Sequence, residues 1–475
     1  MLFNSVDFVI FFIFVTPAYF ILPHRLRWLL LLGASCYFYM AFVPVYILIL
    51  VFTIVVDYFA ALLLEAARGR RRQFWLVSSI VANVGVLAAF KYYSFLTVTL
   101  ADAIEMCGLH PAIPSFHILL PIGLSFHTFQ AMSYTIEVYR GRQKAERHFG
   151  RYALFVMFYP QLVAGPIERP QNLLHQFLDR HEFSFTRIIS GLKFVVYGLF
   201  LKLVVADRLA IFVNAAYNNV NQHTGLTLAV ATLFFAFQIY CDFAGYSNIA
   251  IGAAEVMGFS LMTNFRRPYF AQSISDFWSR WHISLSTWFR DYLYIPLGGN
   301  RVARARWYRN LMIVFAVSGL WHGANWTFVI WGALNGIYLI FGVVSNEWRN
   351  RLAHHIRLDR MPRFHAKMKS VTTVLLCCVA WVFFRSSDSA TALAILGKIA
   401  RLEGPLYMDF ATMCYSCIGL ITLLAIESRG ERLNLEKSPL AYNHWLQESV
   451  AYACLLLAIL ILGVFDGGQF IYFQF

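Results

Sequence analysis

The nine residues SGLWHGANW (318–326) set a histidine between two purely apolar runs, 311–317 and 328–331. The apolar stretch around them, 311–341, holds 31 residues. That is too many for one ordinary helical crossing of a hydrocarbon core ~30 Å thick and too few for two complete crossings with a turn. Two short helices broken within 319–325 resolve the mismatch. They also keep the basic segment 349–369 on the same side as the arginines before the stretch, whereas a single crossing would carry it to the other side. A rise of ~1.5 Å per residue from Arg309 then lifts His322 roughly 20 Å from the cytoplasmic face. A titratable ring at that depth is costly and calls for a role.

Composition extends this reading to the whole chain. Of 475 residues, 59% are hydrophobic and 13% charged, and mean hydropathy is +0.59, against roughly 45–50% apolar and ~25% charged in soluble domains. Runs such as 43–65, 75–96 and 451–464 with its flanks match a membrane-spanning helix. The short alternating segments of a transmembrane barrel are absent. The fold class expected is an all-α polytopic membrane protein, read as one membrane domain over 1–475, with its chemistry-bearing motifs at about 240–345. The first apolar run, 7–22, lacks a basic flank and a small-residue cleavage site, so it is expected to stay as a helix.

The formal net charge is +14, but the excess is confined to loops: Arg68 and Arg70 to Arg72; Arg140, Arg142, Lys144, Arg147 and Arg151; and Arg349 to Lys369. Clusters placed this way obey the positive-inside rule and do not point to nucleic acid. Threading the loops accordingly predicts about twelve crossings with both termini outside, an outer loop at 100–115, and a re-entrant segment at 152–165, which is short and interrupted by Pro160. The eight cysteines sit mostly in apolar segments without a metal-binding pattern, so neither metal nor structural disulfides are expected.

Three constellations carry candidate chemistry. His322 has Gly319 and Gly323 beside it, which let the helix break and another backbone or a substrate approach; the competing reading is a packed core histidine, with Trp321 and Trp326 in a lipid headgroup belt. Segment 276–292, DFWSRWHISLSTWFRDY, drawn as one helix, gathers Phe277, Trp278, Trp281, His282, Leu285, Trp288, Phe289 and Tyr292 on one face and reads as interfacial, either as an anchor or as the carrier of a second functional histidine. In YCDFAGYSNIAIG (240–252), Asp242 interrupts an apolar helix whose small residues favour close packing. Asp242 either bonds buried partners or orients a catalytic histidine, and Asp57 in VVDYF carries the same ambiguity; both are read as structural. An imidazole titrating near neutrality suits general-base work. The residues alone name neither hydroxyl nor electrophile, since no nucleophile elbow, P-loop or metal-helix motif is present.

NFRRPYFAQSISDFWSRWHISLSTWFRDYLYIPLGGNR (264–301), followed by SGLWHGANWTFVIWGALNG (318–336), resembles the signature of membrane-bound O-acyltransferases of the bacterial alginate O-acetylation type. YPQLVAGPIERP (159–170), DFAGYSNIAIG (242–252) and the terminal FIYFQF (470–475) are similar to other motifs of that family. The resemblance implies a many-helix fold with a thin partition, where a cytoplasmic acyl donor meets an acceptor from the periplasm. It implies acetyl-CoA as donor substrate, no tightly bound cofactor, and a periplasmic acetyltransferase partner of an exopolysaccharide pathway, alginate- or cellulose-like, in the inner membrane. The family's histidines map onto His322, as general base, and His282, as assistant. Trp278, Trp281 and Trp321 are then candidate walls of a dry site, Asn325 a candidate oxyanion donor or helix cap, and Arg266, Arg267 and Arg301 candidate contacts for the coenzyme's phosphates. Acetyl transfer toward peptidoglycan, a transporter or channel with a histidine-lined path, and a silent scaffold for a polysaccharide synthase are the alternatives.

Overall fold

The computed structural model describes residues 1–109, 121–435, 440–442, 444–465 and 470–471. Within them the chain forms helices and no strand, as an all-α polytopic membrane protein should. Eight helices are long and apolar enough to cross a membrane, from Pro44–Ala66 to Trp445–Leu462. The other crossings expected from loop charge fall on helices that are shorter or more polar. Val6–Ile21 has 16 residues, and Arg304–His322 opens with Arg304, Arg306 and Arg309. The expected outer loop at 100–115 starts late, because Leu100 to Glu105 continue the helix Tyr93–Glu105. Its remainder from residue 110, the beginning of the next expected crossing at 117, and the last four residues of FIYFQF lie outside the described residues.

Contacts group the chain into two compact units, Met1–Val195 with Ile249–Met262, and Val196–Asn248 with Thr263–Phe475. In the first, buried Asp57 accepts from Ser79 Oγ at 2.6 Å and from Asn83 Nδ2 at 2.9 Å, so the carboxylate that interrupts an apolar helix is satisfied by two neighbouring polar side chains. The segment expected to be re-entrant is two short helices, Phe149–Met157 and Tyr159–Leu162, parted at Phe158. Phe155, Phe158 and Tyr159 are fully buried. The break strands carbonyls that a continuous helix would satisfy. The Phe155 carbonyl instead accepts from Gln130 Nε2 at 2.5 Å and Gln161 Nε2 at 2.7 Å, as irregular backbone in an apolar setting requires.

In the second unit, the part of the span Phe185–Asn218 that begins at Val196 widens into a π-turn at Phe200–Ala206. Lys202 in that turn is buried, with its ammonium 2.8 Å from Asp207 and 2.5 Å from Asp242. The second oxygen of Asp242 accepts from the Ile471 backbone N–H at 2.7 Å. Asp242 therefore balances a buried cation and holds the backbone at Ile471; neither of these partners is a histidine. Gly245, one turn on, admits this approach, because a Cβ there would lie 2.8 Å from the Gly198 carbonyl.

A buried donor left without its acceptor costs roughly 1–3 kcal/mol. Asp242→Leu, which strips an acceptor from the Ile471 N–H and from the Lys202 ammonium while Lys202 keeps Asp207, is expected to lose about that much, whereas Asp242→Asn, which retains an oxygen for both, loses less. The readout is the midpoint of heat-induced loss of the monodisperse size-exclusion peak in detergent. A leucine variant as heat-resistant as wild type would contradict the assignment.

Candidate functional site

The apolar stretch at 311–341 becomes a helical hairpin, Arg304–His322 and Trp326–Val344, turning at 323–325. Each arm has 19 residues rather than the short length expected, because the arms recruit residues 304–310 at one end and 342–344 at the other. Gly319 lies within the first arm, not at the break. A Cβ on it would lie 2.3 Å from the Phe328 carbonyl, and one on Gly332 would lie 2.3 Å from the Phe315 carbonyl. The arms thus pack antiparallel, backbone against backbone, which only residues without side chains permit. Gly323 ends the first arm with a Cβ position 2.0 Å from the Phe328 ring.

This hairpin places His322 in the last turn of its arm, buried, inside a ring of aromatics. Trp321, Trp331 and Phe384 stand at centroid distances of 4.9, 4.9 and 5.3 Å, all close to perpendicular. Trp278 packs edge-on against Trp331 at 5.8 Å and so backs the cage at one remove. Trp321 is 4% exposed and Trp326 54%, which removes Trp321 from the headgroup belt and makes it part of the site.

Segment 276–292 is not one helix. It breaks after Arg280 into Ile274–Arg280 and Ile283–Phe289, and His282 at the junction has left-handed backbone, φ 43°. The helical-face projection therefore fails from Trp281 onward. Trp281 stacks on Phe277 at 5.3 Å and meets Trp381 at 5.1 Å in the core. His282 is buried against Phe243 at 4.6 Å, Phe265 at 6.3 Å and Trp321 at 6.2 Å. One indole, that of Trp321, consequently lies against both imidazoles. His282 Nδ1 is 3.1 Å from the side-chain oxygen of buried Asn264.

The junction is braced on its outer side by ion pairs. Arg280 bonds Asp276 at 2.8 Å and Glu431 at 2.9 Å, and Arg267 bonds Glu431 at 2.8 Å and the Leu435 carbonyl at 2.6 Å. Of the three arginines considered for coenzyme phosphates, Arg267 is thus committed to a structural bridge, whereas Arg266 and Arg301 have exposed side chains. Asn325 takes the helix-cap role, one of the two considered for it: its oxygen accepts from Thr327 N–H at 3.0 Å as the cap of the second arm, and its amide nitrogen donates to the Ser387 carbonyl at 2.8 Å, which ties the side chain to backbone at both ends.

The sequence reading did not single out Phe243, Asn264, Trp331 or Phe384. Phe243 and Asn264 sit inside quoted motifs beside residues that drew attention, and Trp331 was marked only as the end of an apolar run. Phe384 stands 62 positions from His322 with no local signal.

Residues 142–383 match the family profile described as MBOAT, membrane-bound O-acyltransferase family. The chain is 39% identical over 395 residues to the Probable alginate O-acetylase AlgI of Pseudomonas aeruginosa, covering 82% of this chain and 73% of that one. It is 40% identical over 376 residues to the protein of the same name from Azotobacter vinelandii, covering 78% and 72%. It is 36% identical over 408 residues to the Peptidoglycan O-acetyltransferase of Helicobacter pylori, covering 79% and 74%.

Asn325→Ala should remove a helix cap worth about 1 kcal/mol and lower thermal stability, with turnover per folded molecule within roughly twofold. Loss of an oxyanion donor would instead cost ~10²–10³ in kcat. Turnover normalised to the monodisperse fraction separates the two.

Proposed function

Because the chain belongs to the membrane-bound O-acyltransferase family and is an O-acyltransferase, we propose that it takes acetyl from cytoplasmic acetyl-CoA and delivers it through the bacterial inner membrane to a periplasmic acceptor or partner protein for O-acetylation of an alginate- or cellulose-like exopolysaccharide. Both termini would then face the periplasm. The observation that carries the reading is the pair of buried imidazoles joined by the Trp321 indole, on the two motifs that supply the family's histidines. The alginate O-acetylases among its relatives support the choice of polysaccharide.

In this proposal His322 accepts the proton of the acceptor hydroxyl as that oxygen attacks the thioester carbonyl. The tetrahedral intermediate collapses, the carbon–sulfur bond breaks, and the proton passes from His322 to the departing thiolate. The products are an acetyl ester and coenzyme A. His282 positions the thioester or relays the proton. The rings of Trp321, Trp331 and Phe384 exclude water, which would otherwise compete for the thioester. Arg266 and Arg301 remain the candidate contacts for the coenzyme's phosphates.

Transfer toward peptidoglycan is the second reading, favoured by the 36% identity to the Helicobacter pylori relative. The transporter and scaffold alternatives give way to the family membership, which assigns acyl transfer chemistry.

Purified protein supplied with labelled acetyl-CoA, an oligosaccharide acceptor and the partner fraction should release coenzyme A. His322→Ala should lower that release by ~10²–10⁴, the range for loss of a general base, at unchanged folding. Equal release by both proteins would remove His322 from the mechanism. Label recovered in alginate-type oligosaccharide, and not in peptidoglycan fragments, decides between the two acceptors.

A further inference from the structure

The helix Ile283–Phe289 begins with backbone N–H groups that have no partner within it. Its N-cap residue, His282, supplies no side-chain acceptor. The first two of those N–H groups, on Ile283 and Ser284, find their acceptors on one distant residue, Asn264. The Asn264 backbone carbonyl takes the Ile283 N–H at 2.8 Å, and its side-chain Oδ1 takes the Ser284 N–H at 3.2 Å and the Ser284 hydroxyl at 2.9 Å. The other end of the amide, Nδ2, donates to Ser247 Oγ at 3.1 Å. These bonds settle which amide atom is which, since a backbone N–H can be received only by the oxygen.

His282 Nδ1 lies 3.1 Å from that same Oδ1. An amide oxygen accepts and never donates, and the Ser284 hydroxyl, 3.5 Å from Nδ1, gives its hydrogen to that same Oδ1 at 2.9 Å, so Nδ1 carries the hydrogen. In a neutral imidazole the lone pair then resides on Nε2. Phe243, at 80° to the imidazole, and Phe265, at 26°, hold the ring plane in place. The left-handed backbone of His282, unusual for a residue with a side chain, is kept by the same cap, since the Ile283 N–H that follows it is tied to Asn264.

We infer that Asn264 is a positioning residue that locks His282 in the Nδ1–H tautomer, so that Nε2 is the nitrogen offered to the reacting groups. The second half rests on the acyl-transfer reading above; the tautomer itself does not. A partner on one ring nitrogen that decides what the other can do is a general device for histidines in acid–base work. Here the helix cap supplies it. The oxygen that starts the helix also sets the proton position.

The experiment uses the full-length protein in lipid with ¹⁵N-labelled histidine. The difference between wild-type and His282→Gln spectra isolates the His282 ring, and correlations to both ring C–H protons identify Nε2. The expected result is an unprotonated Nε2 and a protonated Nδ1. Asn264→Leu, nearly the same size but with no acceptor, should lose that signature and lower kcat roughly ten- to hundred-fold, with KM for acetyl-CoA within about threefold. Asn264→Asp, which keeps an oxygen facing Nδ1, should restore both. A wild-type ring with its proton on Nε2 overturns the proposal, as does Asn264→Leu with an unaltered spectrum. If Asn264→Leu fails to fold, the wild-type spectrum and the aspartate variant still decide. The expected spectrum from a protein that releases no coenzyme A under any condition supports the tautomer assignment and defeats the transfer reading alone.

Discussion

A polar group inside an apolar medium has to find its partner within the chain, because no water is there to supply one. This constraint shapes both units. It explains why the Lys202 ammonium meets Asp207 and Asp242, why two glutamine amides converge on the Phe155 carbonyl, and why Ser79 and Asn83 surround Asp57. Each is a local irregularity of sequence, an ion or amide in an apolar run, whose cost is offset by a neighbour brought from another helix. In the second unit Asp242 also binds the backbone at Ile471, and adjacent Phe470 packs against Phe243 at 5.5 Å. Phe243 is the ring that abuts His282. Charge neutralisation, anchoring of the C-terminal segment and the wall of the histidine site are therefore one continuous piece of packing.

The site meets the same constraint by another route. Its two imidazoles are enclosed by aromatic rings, which offer bulk and dryness but few hydrogen bonds. An acyltransferase benefits from such surroundings, since water of far higher abundance competes for the acyl group. Trp321 touches both rings, and Phe384 closes the cage of His322 from the helix Pro362–Arg385. Polar connections are reserved for orientation: Asn264 for His282, Asn325 for the start of the hairpin's second arm.

Much of this was legible in the residues. The apolar excess, the charge of the loops and the length mismatch at 311–341 led to a helical membrane protein and to a hairpin broken beside His322, because these depend on counts and on the fixed rise of a helix. The two histidines were legible because they stand out in apolar or aromatic surroundings. What misled was periodicity. Projecting 276–292 as a single helix put His282 at the edge of a face, whereas one residue in left-handed conformation at that point redirects everything after it. That conformation is held by Asn264, 18 residues earlier, and long-range hydrogen bonds leave no mark on local spacing. For Asn325 the residues left two roles open, and its cap and its bond to the Ser387 carbonyl show backbone demands met by the amide. Lys202 was hidden within an apolar run, since nothing nearby in sequence announces the two carboxylates that neutralise it.

The crossing of Gly319 and Gly332 limits what can move. Each faces a carbonyl of the opposite arm at a separation that excludes even a methyl group, so a slip of one residue along either arm would drive a side chain into backbone. The hairpin therefore has a single register, like a ratchet held at one tooth, and the tip bearing His322 inherits that stiffness. Any adjustment of shape around the tip would therefore have to come from rotation of the side chains there, because the backbone has no room to shift.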